Sequence, residues 1–197
     1  MAYNPTIHNR QSLRLKGYDY GAEGLYFLTI CTQDRLHLFG DIKNNEMQLN
    51  SSGEIAKKCW LDIPMHFPHA HLHEFVIMPN HIHGIVEITE NVGIVGSKKF
   101  SALQYQPDIS SQPYQPEKHG FSPAFKSPSK TIGSIVRGFK IGVTKWMRQN
   151  TTIHTIWQSN YYDHIIRNQS DYYRIAEYII KNPQKWQTDK FNVEDGK

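Results

Sequence analysis

Read along the chain, the elements run strand, helix, strand, strand, a long gap, then helix, strand, helix. That order predicts an α+β fold of ferredoxin-like type, an antiparallel sheet with helices packed on one face. Three observations carry the prediction. Continuous apolar runs occupy 24–32 and 75–88, two segments of helical period follow residue 130, and the stretch 90–129 between them has no period. At 197 residues the chain suits one domain with a sizeable core. The expected organisation is a basic N-terminal arm over 1–20, a single domain over 21–186 and a C-terminal tail over 187–197.

Each element has its own signal. The segment from Gly24 to Thr32 is rich in β-formers and apolar throughout, as a central strand is. Leu36–Gly40 and Glu46–Leu49 flank Lys43-Asn44-Asn45, a hairpin pattern. Ser51 or Ser52 is the expected cap of a first helix, in which Ile55, Cys59 and Ile63 recur every four residues and Ala56 and Trp60 widen the stripe. Phe75–Met78 and the run to Ile88 read as two buried strands broken at Pro79-Asn80. The segment 90–129 carries Gln, Ser and Pro and reads as a long mobile insertion. Ile132, Ile135, Val136, Phe139, Val143, Trp146 and Met147 then follow the helical rule. A strand is expected around Trp157–Tyr162. A last helix, capped by Asn168 or Ser170, runs to Lys181 before Pro183.

The formal charge of +4 and pI near 8.9 suit a polyanionic partner without demanding one. No apolar run is long enough to cross a membrane, and no segment near the N-terminus resembles a signal peptide. Cys31 and Cys59 lack CxxC spacing and read as reduced, buried thiols. Together these predict a cytoplasmic protein with no membrane partner.

His81 and His83, one apolar residue apart at the start of the second buried strand, point to the same face, with Glu87 further along it. Imidazoles about 7 Å apart at Cα can converge on one metal or one phosphate. With eleven histidines in the chain, a chance pair is a real alternative. Between Lys130 and Arg148 there are cations, Arg137, Lys140, Lys145 and Arg148 among them, and no acid. They are candidate phosphate contacts, or else a solvated face. In the last helix Tyr172, Ile175, Ala176 and Ile179 form the stripe. Tyr178 falls off it, in line with Arg174 one turn before, a further candidate phosphate contact, and Asn182 one turn after.

Pro79-Asn80-His81-Ile82-His83-Gly84 after an apolar strand resembles the signature of the HUH single-strand DNA nucleases. With Trp157-Gln158, Tyr161–Asn168 and Glu177–Pro183, the chain resembles more closely the REP-associated tyrosine transposases and their single-tyrosine insertion-sequence relatives. The likeness covers roughly 20–90 and 130–186; the middle insertion departs from it. The resemblance implies that Tyr178 is a nucleophile. It implies that His81 and His83 hold Mg²⁺ or Mn²⁺, with Asn182 where related enzymes place a metal-holding glutamine. It implies a hairpin-bearing single-stranded DNA as substrate, cut and rejoined through a 5′-phosphotyrosine by a monomer or a homodimer. Tyr161 and Tyr162 are alternative nucleophiles. Two other classes remain: a nucleic-acid-binding module of the same fold that cleaves nothing, and a metal-dependent hydrolase.

Overall fold

A computed structural model describes residues 19–89 and 130–192. The arm expected over 1–20, save its last two residues, and the 90–129 insertion lie outside them. The main sheet has four strands: β1 (Gly24–Cys31), β4 (Ala70–Met78), β5 (His81–Ile88) and β6 (Tyr162–Ile166). Their order is β4-β5-β1-β6, with every neighbour antiparallel. Each helical crossover therefore joins strands that are not adjacent, as in the split β-α-β units of the ferredoxin-like fold. The predicted α+β class is what the structure has.

Three helices cover one face of the sheet: α1 (Ser51–Leu61), the single turn α2 (Ile63–His66) and α3 (Ile132–Asn150). The odd face of β1 packs elsewhere. Tyr26, Leu28 and Ile30 join Ile82 and Val86 of β5, Trp60 of α1 and the α3 stripe in one core. Burial on both faces is why β1 reads as one apolar run rather than an alternation. Gly84 is what lets α1 come down on β5: a Cβ there would stand 2.3 Å from Trp60 Cζ2. Two of the three α3 glycines act similarly, but toward neighbouring segments rather than the sheet, Gly142 facing Cys59 of α1 and Gly138 facing Phe67.

The fourth helix, α4 (Gln169–Ile180), lies across the opposite face. Ile175, Ala176 and Ile179 pack there on Phe27, Ile85 and Ile166. Its N-cap is Asn168, whose side chain accepts from Asp171 N at 2.8 Å. A 3-10 turn, Pro183–Thr188, follows and is anchored by buried Trp186.

Four local details differ from the sequence expectation. The cap of α1 is Asn50, whose oxygen accepts from Gly53 N at 3.0 Å, rather than Ser51 or Ser52. The hairpin strands are β2 (Gly40–Lys43) and β3 (Glu46–Leu49), so the first begins where Leu36–Gly40 was expected to end. Asn44 and Asn45 both take positive φ, as a two-residue turn between twisted strands requires. The strand expected around Trp157–Tyr162 instead starts at Tyr162. Trp157 makes one isolated bridge to Thr32, and its ring packs on Phe39 and Phe139, so it belongs to the α3-side core. Finally, β4 holds an extra residue against β5 between Leu72 and Phe75, a bulge at His73-Glu74.

Candidate active site

The two histidines sit at the start of β5 because the Pro79-Asn80 turn ends there and is tied back to β1, Thr32 N donating to Asn80 O at 2.9 Å. The register sets His83 opposite Thr29 and His81 opposite Cys31, so both rings project to the α4 face. They are 0% and 1% exposed, with ring centroids 4.5 Å apart.

Hydrogen bonds fix what each ring offers. Asn80 Nδ2 donates to the carbonyls of Arg35 (3.0 Å) and Phe191 (2.7 Å), so its Oδ1 is the end that faces His81 Nδ1 at 2.9 Å. His81 Nδ1 must then carry the proton, and Nε2 the lone pair. That Nε2 is buried and has no partner. His83 Nδ1 contacts Thr29 Oγ1 at 2.9 Å and its Nε2 contacts the Tyr178 hydroxyl at 3.1 Å. Burial holds both imidazoles neutral. It pushes His81 well below the usual histidine range, helped by His83 and Arg35 and opposed by the Asn182 amide. It pushes His83 down to about 3, helped by Lys190. A neutral imidazole with a free lone pair, as at His81 Nε2, is the form that binds metal.

Tyr178 reaches His83 from α4 because it lies one residue off the buried stripe, its ring edge-on to Phe27 at 6.2 Å. Burial raises its hydroxyl above the usual tyrosine value, and Asp189 adds to this, while Asn182 opposes it. Asn182, one turn beyond, is 1% exposed. Its Nδ2 donates to Asp189 Oδ2 at 3.3 Å, and its Oδ1 is buried without a partner. Phe191 closes the group from outside, its ring 4.6 Å from His81 and 5.8 Å from His83.

The site opens into a cavity of about 740 Å³ lined by His83, Tyr178 and Asn182, with Tyr162 and the cations Arg174, Lys185 and Lys190 on its walls. Arg174 pairs with Asp171, whose other oxygen holds His164 Nε2 at 2.8 Å. Of the alternative tyrosines, Tyr162 is half-exposed in this cavity, whereas Tyr161 packs against the α3-side core.

The residues singled out from sequence divide into two groups. His81, His83, Tyr178 and Asn182 come together, and Arg174 stands on the wall of the same cavity. Arg137, Lys140, Lys145 and Arg148 lie on α3, across the sheet from the histidines. Lys140 is turned inward: its ammonium donates to the carbonyls of Gln158 (2.7 Å) and Asn160 (3.1 Å), and burial lowers it to about 8. Arg148 donates to His154 O at 3.3 Å. Glu87 does not join the histidines either, being held by His73 at 3.1 Å.

Among the described residues no three His, Cys, Asp or Glu side chains converge on a possible metal position. The protein atoms that suit a cation are His81 Nε2, His83 Nε2 and the Asn182 amide oxygen. Two of these, His81 Nε2 and Asn182 Oδ1, are buried acceptors without a partner, the kind of orphaned polar atom that calls for an explanation. Sequence reading did not single out Thr29, Asn80, Asp189 or Phe191. Only Asn80 left a signal: it immediately precedes the pair, but its residue type reads as a turn former.

No protein-family model matches the chain. An uncharacterized protein of Haemophilus influenzae is 48% identical over 192 residues, covering 98% of each chain. The fold resembles that of a REP-associated tyrosine transposase solved bound to a REP hairpin. The TM-score is 0.53 at 21% identity, covering 89% of this chain and 74% of that one. At that identity the likeness is one of fold. No helix among the described residues is long and apolar enough to cross a membrane.

Proposed function

The chain belongs to one family with the Haemophilus influenzae protein, and we propose that it is a single-strand DNA transposase that cuts and rejoins hairpin-flanked sites through Tyr178. The observation that carries the reading is the 3.1 Å contact between the Tyr178 hydroxyl and His83 Nε2 inside an open, cation-lined cavity. A tyrosine merely filling the core would not be aimed at a metal-competent imidazole. The fold of a transposase that binds a REP hairpin gives further support.

His81 Nε2, His83 Nε2 and Asn182 Oδ1 would hold Mg²⁺ or Mn²⁺, hard ions whose remaining positions would be completed by water and substrate oxygens. When bound, the ion neutralises charge building on the scissile phosphate. The rest is the work of the chain. The cavity positions a phosphodiester beside Tyr178, and Arg174, Lys185 and Lys190 attract its charge. The Tyr178 oxygen bonds to phosphorus and the bond from phosphorus to the 3′-oxygen breaks. The tyrosine is left esterified to a 5′-phosphate and the departing strand ends in a 3′-hydroxyl after taking up a proton. The ester conserves the phosphodiester for rejoining by the reverse attack. Because the Tyr178 hydroxyl is harder to ionise than a free phenol, its proton must leave during the attack.

The test is incubation of labelled hairpin single strands with the protein and Mn²⁺, followed by denaturing electrophoresis. The wild type should give a covalent protein–DNA band and Tyr178→Phe none. Cleavage retained by Tyr178→Phe would indicate a hydrolase. Binding without any cleavage by the wild type would indicate a module that only binds DNA.

A further inference from the structure

We infer that Asp189 is a positioning residue: it holds the Asn182 amide so that the oxygen, and not the NH₂ group, is offered beside His81. The inference rests on the reading of His81, His83 and Asn182 as a divalent-cation set.

An asparagine amide fits almost equally well either way round, and its two ends have opposite chemistry. Oδ1 offers lone pairs to a cation, whereas the Nδ2 hydrogens repel one. Asn182 is 1% exposed, so bulk water does not settle the choice. Asp189 does. Its Oδ2 takes a hydrogen bond from Asn182 Nδ2 at 3.3 Å. A carboxylate only accepts, so it can face only the NH₂ end. Oδ1 is thereby turned away from Asp189, buried and without a donor.

Asp189 is itself held in place. Its Oδ1 accepts from Phe191 N at 2.8 Å, and its own N–H donates to the carbonyl of buried Trp186 at 3.0 Å. On the strand side Asn80 does the same for His81, fixing Nδ1–H and leaving Nε2 as the acceptor. At His81 and Asn182 the proposed ligand atom thus has a partner behind it that decides which of two ends is presented, the arrangement by which outer residues tune metal sites.

The test titrates Mn²⁺ into the DNA-free full chain and reads bound Mn²⁺ by electron paramagnetic resonance. Four proteins are compared: wild type, Asp189→Ala, Asn182→Ala and the double variant. Asp189→Ala should weaken Mn²⁺ binding about 10–100-fold. The double variant should bind no more weakly than Asn182→Ala alone, because Asp189 acts through that amide. If Asp189→Ala does not fold, Asp189→Asn takes its place. A carboxamide can face either end of Asn182, so a loss of affinity is expected there too. Wild-type affinity in the Asp189 variant overturns the inference. So do losses that simply multiply in the double variant, since they would mean a direct ligand or a charge effect, and so does a wild type that takes up no Mn²⁺. The readout does not involve cleavage. If the cycle holds while no covalent DNA adduct forms, only the transposase reading falls; if the adduct forms while the cycle fails, only the role of Asp189 falls.

Discussion

The two faces of β5 are buried to the same degree and built for different purposes. Ile82 and Val86 point into the core under α1 and α3, while His81 and His83, between and beside them in sequence, point toward α4. All four are 0–1% exposed. Burial therefore does not separate core from site here; the accounting of donors and acceptors does. Among the described residues the buried side-chain atoms without a partner are Trp60 Nε1 in the α1-side core, His37 Nε2, His69 Nε2, and the two acceptors of the site. On the α4 side His81 and Asn182 each keep a buried acceptor, and they belong to one group of residues. The α1 face is filled by apolar side chains, whereas on the α4 face two unpartnered acceptors are gathered in one place, as the proposed cation site requires.

The most severe way to test that contrast is to remove the acceptors. His81→Ala or His83→Ala should reduce Mn²⁺-dependent DNA cleavage to background, a loss above about 5 kcal/mol in barrier at 1.36 kcal/mol per decade. Hairpin affinity should stay within a few fold, because contacts to phosphates elsewhere carry it. Gel-shift and cleavage assays on the same preparations check both, and undiminished cleavage by the double variant would remove the metal-site reading.

The complementary change empties the other face. Trp60→Ala should cost about 3–5 kcal/mol of unfolding free energy, the range for a buried large aromatic. The protein that remains folded should take up Mn²⁺ with wild-type affinity, since Trp60 packs on the face of β5 opposite the histidines. Denaturant melts alongside the metal titration measure this; a loss of affinity tracking the loss of stability would mean that the two faces are not separable.

The smallest expected effect concerns α3. Lys140→Gln should lower stability by about 1.5–3 kcal/mol, the range for hydrogen bonds to a charged group, discounted toward its lower end because the side chain is only partly buried. It should leave the salt dependence of DNA binding unchanged, because the ammonium is engaged with Gln158 and Asn160. A fall of about 0.7 in the log–log salt slope would instead show that Lys140 leaves those carbonyls for a phosphate.

Much of this was legible in the chain because period reports burial. The α4 stripe placed Tyr178 off the core, and the β5 alternation placed both histidines on one face. Where aromatic residues serve two purposes the same signal misleads. Trp157 has a strand former's chemistry, yet it fills the α3-side core, and the ladder begins at Tyr162. The bulge at His73-Glu74 follows from how β4 meets β5, and no single strand encodes it. The roles of Asn80 and Asp189 were not legible for another reason. Asn80 binds the carbonyls of Arg35 and Phe191, 45 and 111 residues away, and contacts of that range leave no trace in local composition. Asp189 lies just seven residues beyond Asn182, but it follows a turn, where helical spacing no longer says which side chains meet.

The His83–Tyr178 contact also has a consequence for biosynthesis. The two residues are 95 positions apart. At roughly 5–20 residues per second, translation takes on the order of ten seconds to get from one to the other. For most of that interval the nascent chain on the ribosome has its imidazoles but not the last strand of the sheet, and throughout it lacks Tyr178. On the proposed mechanism, a message truncated before Tyr178 yields a polypeptide that cannot become esterified to DNA through that residue, so the activity would be conferred late in synthesis, when α4 docks.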